Sequence, residues 1–284
     1  MKSPELQGSH AGLREWFGLA ILALPCMMYA MDLTVLTLAI PALSAELKPS
    51  STELLWIVDI YGFMVAGLLL TMGSVGEKIG RRKLLLIGAA AFSAVSVAAA
   101  FSTSTAMLIT MRALLGIAGA TLAPSTLSLI RNMFQHPRQR ALAIGVWVSS
   151  YSIGAAIGPA LGGALLEYFW WGSVFLAGVP VMVLLLLSAP WVLPEFRDPR
   201  APAVDIPSVA LSLAAILCTV WGLKQGVATG WSWWPVAAIF IGILTGHFFL
   251  RRQTQLAVPM IDLELFRNKT LSAALALYGL GTMV

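Results

Sequence analysis

Residues 29–44 read YAMDLTVLTLAIPALS. The run is apolar enough to be the outer part of a buried helix, yet Asp32 sits inside it. A charge at the centre of a membrane helix costs about 2.5–3.5 kcal/mol on insertion scales, so a carboxylate there needs a partner or a wet cavity. Composition says that the surroundings are membrane. Of the 284 residues, 58% are hydrophobic and 11% charged, and mean hydropathy is +0.84. Soluble domains carry about a quarter charged residues. This chain has too few to cover a water-facing surface, which makes it an integral membrane protein.

The net charge of +5 lies in short loops rather than on one face, so it offers no nucleic-acid surface. Cys26 and Cys218 lie in apolar stretches and read as small apolar residues, with no disulfide framework and no metal site. His10, His136 and His247 are scattered, and no nucleophile–base or metal-ligand spacing occurs, which argues against an enzyme. The first apolar segment is too long for a signal peptide and lacks a small-residue cleavage pattern, so it reads as a retained helix.

A spanning helix needs about 20 mostly apolar residues. Such stretches occur at 16–43, 53–75, 84–102, 106–131, 140–166, 171–192, 206–223 and 232–250, and a further one begins near Thr270. The expected fold is all-α: a six-helix N-terminal bundle over 1–193, a polar connector PEFRDPRAPAVD at 194–205, and an extra helix pair at 206–250. A loop at 251–269 and the start of a ninth helix at 270–284 follow, so the chain reads as the front of something longer.

Basic residues set the orientation. With the N-terminus inside, one set of loops holds Lys2, Arg14, Lys78, Arg81, Arg82, Lys83, Arg131, Arg138, Arg140, Arg197, Arg200, Arg251, Arg252, Arg267 and Lys269. The other set holds only Lys48 and Lys224, and Arg112 is left within a helix. The asymmetry puts the N-terminus and the basic loops in the cytoplasm. Trp56, Trp170, Trp171, Trp221, Trp231, Trp233 and Trp234 fall near outer helix ends, Trp16 and Trp191 near inner ones, as a headgroup belt requires.

Asp32, Asp59 and Arg112 lie inside spans on three different helices. From the helical rise, Asp32 is roughly 14 Å deep and the other two roughly 9 Å, all in the outer half. One shared polar cluster is expected. A plain helix-to-helix ion pair is the alternative, but two acids against one arginine leave a carboxylate suited to a proton or a cationic ligand.

GSVGEKIGRRKLLL at 73–86 joins the second and third spans, with Gly73, Gly76 and Gly80 allowing a tight turn and close approach. Glu77 is placed to cap that turn or to pair with Lys78, Arg81 or Arg82. By charge alone this is a topology anchor. In SIGAAIGPALGGALLE at 152–167, Gly154, Gly158 and Gly162 share one face, and Pro159 removes a helical hydrogen bond. That spacing suits a rocking interface and plain tight packing alike.

Together these motifs resemble the major facilitator superfamily, and within it the fourteen-helix proton-coupled drug antiporters. GSVGEKIGRRK matches the loop pattern G-x-L-a-D-r-x-G-r-k at Gly73, Lys78, Gly80, Arg81 and Arg82, with Val75 and Glu77 as departures. MRALLGIAGA matches the fourth-helix pattern at Arg112 and Gly116, with Leu115 in place of the usual glutamine. GAAIGPALGG matches the antiporter pattern at Gly154, Gly158, Pro159, Gly162 and Gly163, and MDLTVLTLAIP matches a first-helix pattern at Asp32, Thr34, Val35, Ala39 and Pro41. LLWIVDIYGFMVAG, with Asp59, is similar to the quaternary-ammonium exporters of that family.

The resemblance implies roles. Asp32 and Arg112 take part in proton coupling, and Asp59 attracts cationic drug. Gly73, Gly76, Glu77, Lys78, Gly80, Arg81 and Arg82 gate the cytoplasmic side, and the Gly154–Gly163 motif prevents leak at the domain interface. Protons are the coupling ion, with no other cofactor. Lipophilic cations such as quaternary ammonium compounds, dyes and biguanides are the cargo, the bacterial inner membrane is the location, and a C-terminal six-helix half is expected. Tyr29, Met31, Phe63, Trp147 and Tyr151 are expected to line the pocket, since π faces and thioethers suit organic cations. A facilitator for a neutral or anionic solute would need more polar helices and no surplus acid. A non-transporting fragment also stays open.

Overall fold

In a computed structural model the described residues are 10–198, 205–256, 259–260 and 273. Among them, eight helical stretches are long and apolar enough to cross a membrane, and there is no strand. The expected ninth helix at 270–284 lies almost wholly outside the described residues.

Six passes make the first unit, Met1–Ala203. They are α1 (Leu13–Leu47), α2 (Ser51–Ile79), α3 (Arg81–Ala100), the broken pass α4 (Thr105–Gly119) and α5 (Leu122–Met133), α6 (Pro137–Tyr168), and the broken pass α7 (Ser173–Leu176) and α8 (Val179–Val192). Several helices, α1, α2 and α6 among them, overrun the apolar stretches that announce them. Ser50 and Glu53 form a reciprocal capping box at the start of α2. Ser104 caps α4, and Pro137 opens α6.

Each break lies just ahead of a proline, residues 120–121 before Pro124 and residues 177–178 before Pro180. Pro124 has no N–H for the carbonyl of Ala120, and Pro180 has none for that of Leu176, so each pass loses a helical bond there. Pro25, Pro41 and Pro159 lie inside helices that continue past them.

α1 is the most enclosed helix: Leu22, Cys26, Val35, Leu36, Ala39 and Leu43 are all buried. It packs chiefly on α6 and α8, while α2 lies on α4, and α3 on α4, α5 and α8. The α1–α6 seam is set by small residues. A Cβ at Gly154 would strike the Met27 carbonyl, one at Gly158 would strike Thr34, and one at Gly162 would crowd Val35. Outward faces carry Leu142, Val148, Leu184, Leu187 and Trp191, an apolar exterior for which lipid is the fitting solvent.

At one end of the bundle, helix termini are tied together by the basic residues. Arg14 Nη2 donates to the Trp191 carbonyl, and Arg140 Nε to that of Phe134, each completing the C-terminal end of a helix. At the other end the Trp171 indole donates to Glu46 and Thr105 to Glu53.

The second unit, Val204–Val284, contains the antiparallel pair α9 (Ile206–Thr229) and α10 (Trp233–Gln253). Gly222 and Gly242 bring the two backbones close. Asp205 accepts from Arg252 Nε at 2.6 Å and Nη2 at 2.8 Å. That two-pronged bond, aided by Ser208, holds the Asp205 carboxyl well below the usual carboxylate range. Gln253, buried, continues the network to Ser208 and to the Met260 amide.

Candidate functional site

Arg112 lies on α4 with no exposed surface. Its Nη1 donates to Asp32 Oδ2 on α1 at 2.6 Å, and its Nε donates to the Ile57 carbonyl on α2 at 3.1 Å. The Asp32 side chain keeps 13% of its surface open, so the acid, not the base, is the accessible partner of the pair. Charge-assisted geometry of this kind offsets much of the cost of removing two ions from water. The two carboxylates of the expected cluster are thus treated differently. Asp32 joins Arg112 directly. Asp59 sits half-buried on α2 two residues from both Ile57 and Tyr61, and at 100° per residue that is the opposite side of the helix from the edge touching Arg112.

On its own face Asp59 is aligned with Trp56 and Phe63, at spacings of three and four residues. The two aromatic rings meet edge to face with centroids 6.3 Å apart. The other aromatic candidates join the Arg112 side. Tyr61 contacts Tyr29 at 5.6 Å, Tyr29 contacts Tyr151 at 5.8 Å, and Tyr151 contacts Trp147 at 5.0 Å. The Trp147 indole N–H donates to Thr126 on α5, which also lies beside the Cys26 thiol. An aromatic row therefore leads from the ion pair across α2, α1 and α6. Met31 is 3% exposed and part of the apolar core, and its backbone carbonyl lies near Gly158 on the α6 seam.

The Gly73–Arg82 stretch also differs from expectation. Gly73 and Gly76 are helical residues of α2, and Gly80 alone makes the turn, with φ of +112°. A side chain at Gly73 would meet nothing, whereas Gly76 packs on Arg81 and Leu84. Glu77 at the end of α2 pairs across the Gly80 turn with Arg81 at the start of α3, at 2.7 Å.

Residues 194–198, part of the expected polar connector, close over this turn. Glu195 Oε1 accepts from the Arg82 amide and Oε2 from the Lys83 amide, while the Phe196 carbonyl accepts from the Arg81 amide. Gly80 has no side chain to cap α3, so a carboxylate more than a hundred residues away fills the orphan donors of the helix N-terminus. Arg82 answers by donating Nη1 to the carbonyls of Leu193 and Pro190 at the end of α8. The Gly154–Gly163 stretch likewise divides: Gly154, Gly158 and Gly162 pack on α1 inside the bundle, and a side chain at Gly163 would meet nothing among the described residues.

Tyr61, Glu195 and Thr126 were not foreseen as site residues. The capping role of Glu195 is a long-range pairing with no local signature. Tyr61 carried a weak signal, one turn beyond Ile57 on the helix that faces Arg112.

Apolar passes packed around a buried ion pair define a multi-pass membrane protein. The chain belongs to the major facilitator superfamily, whose family model matches residues 22–284. It is 48% identical over 254 residues to the multidrug efflux pump LfrA of Mycolicibacterium smegmatis, covering 89% of this chain and 50% of that protein. It is 40% identical to the methyl viologen resistance protein SmvA of Salmonella typhimurium, covering 90% of this chain and 52% of that one. It is 34% identical to the tetracenomycin C resistance and export protein of Streptomyces glaucescens, covering 93% and 49%. The chain thus spans about half the length of the curated relatives it matches.

Among solved structures, a bacterial homolog of the human lysosomal transporter Spinster, inward-facing and unoccupied, superposes with TM-score 0.54 at 20% identity, covering 84% of this chain and 60% of that one. A peptide transporter, POT, does so with TM-score 0.57 at 19% identity, covering 80% and 49%. Those likenesses speak for the fold.

Proposed function

We propose that the chain serves a proton-coupled exporter of lipophilic cations that works by alternating access, in a bacterial inner membrane with the N-terminus in the cytoplasm. The observation that carries the reading is the Asp32–Arg112 pair, in which a partly open carboxylate is held by a fully buried cation. A proton arriving at Asp32 breaks the charge pairing, and a proton leaving restores it. Coupling needs such a two-state contact at the edge of a pathway. Tyr29, Tyr151 and Trp147 run from that contact and present π faces suited to an organic cation. The names of the relatives, a multidrug efflux pump and a methyl viologen resistance protein, support this cargo class. The Glu195–Arg82 lock between α3 and α8 supports a cytoplasmic gate at Gly73–Arg82, since an interface closed by a few reciprocal caps can open as a unit.

Asp59, flanked by Trp56 and Phe63, is the second acid that a dication engages. In the full-length protein, Asp59→Asn is expected to cut export of methyl viologen about tenfold or more while leaving a monocationic dye near wild type, measured as efflux from loaded vesicles. Equal export of both by wild type and variant would reject that role.

A further inference from the structure

We infer that Tyr61 is a positioning residue whose ring holds the Arg112 guanidinium in place while Asp32 gains and loses its proton. The inference rests on the proton-coupling reading of Asp32. Arg112 makes one directed contact that does not depend on Asp32, the bond from Nε to the Ile57 carbonyl. Its Nη2 is buried without a hydrogen-bond partner among the described residues. When Asp32 is neutral, that single carbonyl is too little to hold a buried cation on a long side chain. Two rings supply the rest. The guanidinium carbon lies 4.6 Å from the centroid of the Tyr61 ring and 5.9 Å from that of Phe175 on α7. Cation–π attraction is strongest where water is excluded, and here both Arg112 and Tyr61 have no exposed surface.

Tyr61 is itself fixed. Its backbone lies against Gly116 and its hydroxyl near Gly119, one and two turns along α4 from Arg112. A side chain at Gly116 would push α2 away and carry the ring off the guanidinium. The Ile57–Tyr61 edge of α2 and the Arg112–Gly116–Gly119 edge of α4 therefore form one fitted seam. The Tyr61 hydroxyl has no hydrogen-bond partner among the described residues, so the ring and not the hydroxyl does the holding. This separates positioning from proton relay: a relay needs the O–H, a clamp needs only the π face.

The test is the pH profile of cation-driven proton movement, measured with ethidium in vesicles containing the full-length protein, alongside thermal unfolding. Tyr61→Phe is expected to keep the wild-type profile and to melt no lower. Tyr61→Leu frees Arg112, and a carboxylate deprived of its cation holds its proton more strongly, so the profile moves up by about one pH unit. Phe175→Leu is expected to move it in the same direction by less, and it decides the matter should Tyr61→Leu fail to fold. Leucine variants with the wild-type profile overturn the inference, as does a Tyr61→Phe profile displaced like that of leucine. Asp32→Asn separates the two levels. If it still moves protons, the coupling reading fails whatever Tyr61 does. If it is silent while the leucine variants keep the profile, only the positioning role fails.

Discussion

A single arginine organises the centre of the bundle. Arg112 is fully buried, and its planar fork reaches Asp32 and the Ile57 carbonyl at once while lying over the Tyr61 ring. Removing one member of a buried pair leaves the other as an uncompensated charge, a loss of about 3–5 kcal/mol. Arg112→Met is therefore expected to lower stability by that order in detergent unfolding, and so is Asp32→Asn. The double variant, with no stranded charge, is expected to recover a large part of the loss. Additive costs would mean that the two side chains are not energetically coupled. The sequence made this pair legible because a charge in an apolar run is conspicuous. It did not reveal which aspartate would take the arginine, since Asp32 and Asp59 were placed in the same half of the membrane and only the face of α2 separates them. Met31 shows the same limit: its type suited a pocket, and its burial in the apolar core depends on neighbours that the sequence does not display.

Among the helices, the eight spans that the described residues contain follow the apolar stretches of the sequence, because a lipid-facing helix must be apolar along its length. Their ends and breaks do not. α2 continues to Ile79 through a polar, glycine-rich stretch, and two passes break ahead of Pro124 and Pro180. Proline alone was no guide, since α1 and α6 continue past theirs. The glycine face of α6 was legible from its spacing of four, but the side taken by Gly163 required the neighbour. Gly154→Ala is expected to cost about 1–3 kcal/mol by overpacking the α1 seam, with Gly163→Ala near neutral in the same unfolding assay. A reversed order would contradict the seam.

The hairpin of α9 and α10 carries its own test. The Asp205 carboxyl is depressed by Arg252, so its contribution is present above the ordinary carboxylate value and is lost as pH falls toward the lower native one. Acidification below about pH 4 is expected to lower the melting temperature of wild type more than that of Asp205→Asn. Parallel pH dependence would show that the pair does not contribute.

For the whole molecule, the first unit is a six-pass bundle with its charge pair inside, an apolar exterior and a reciprocal lock at its basic end. The charge asymmetry of the loops was readable from sequence because it follows residue type and span count alone. The lock was not, because Glu195 meets the start of α3 across the three passes that separate them in the chain. Family membership joins these features to a transporter architecture. The central claim, that the Asp32–Arg112 contact exchanges a proton for a cation, is most directly tested by following pH inside vesicles that contain the full-length protein. On adding a lipophilic cation, wild type is predicted to move protons against the cation and Asp32→Asn to move none. Undiminished proton movement by Asp32→Asn would contradict the account.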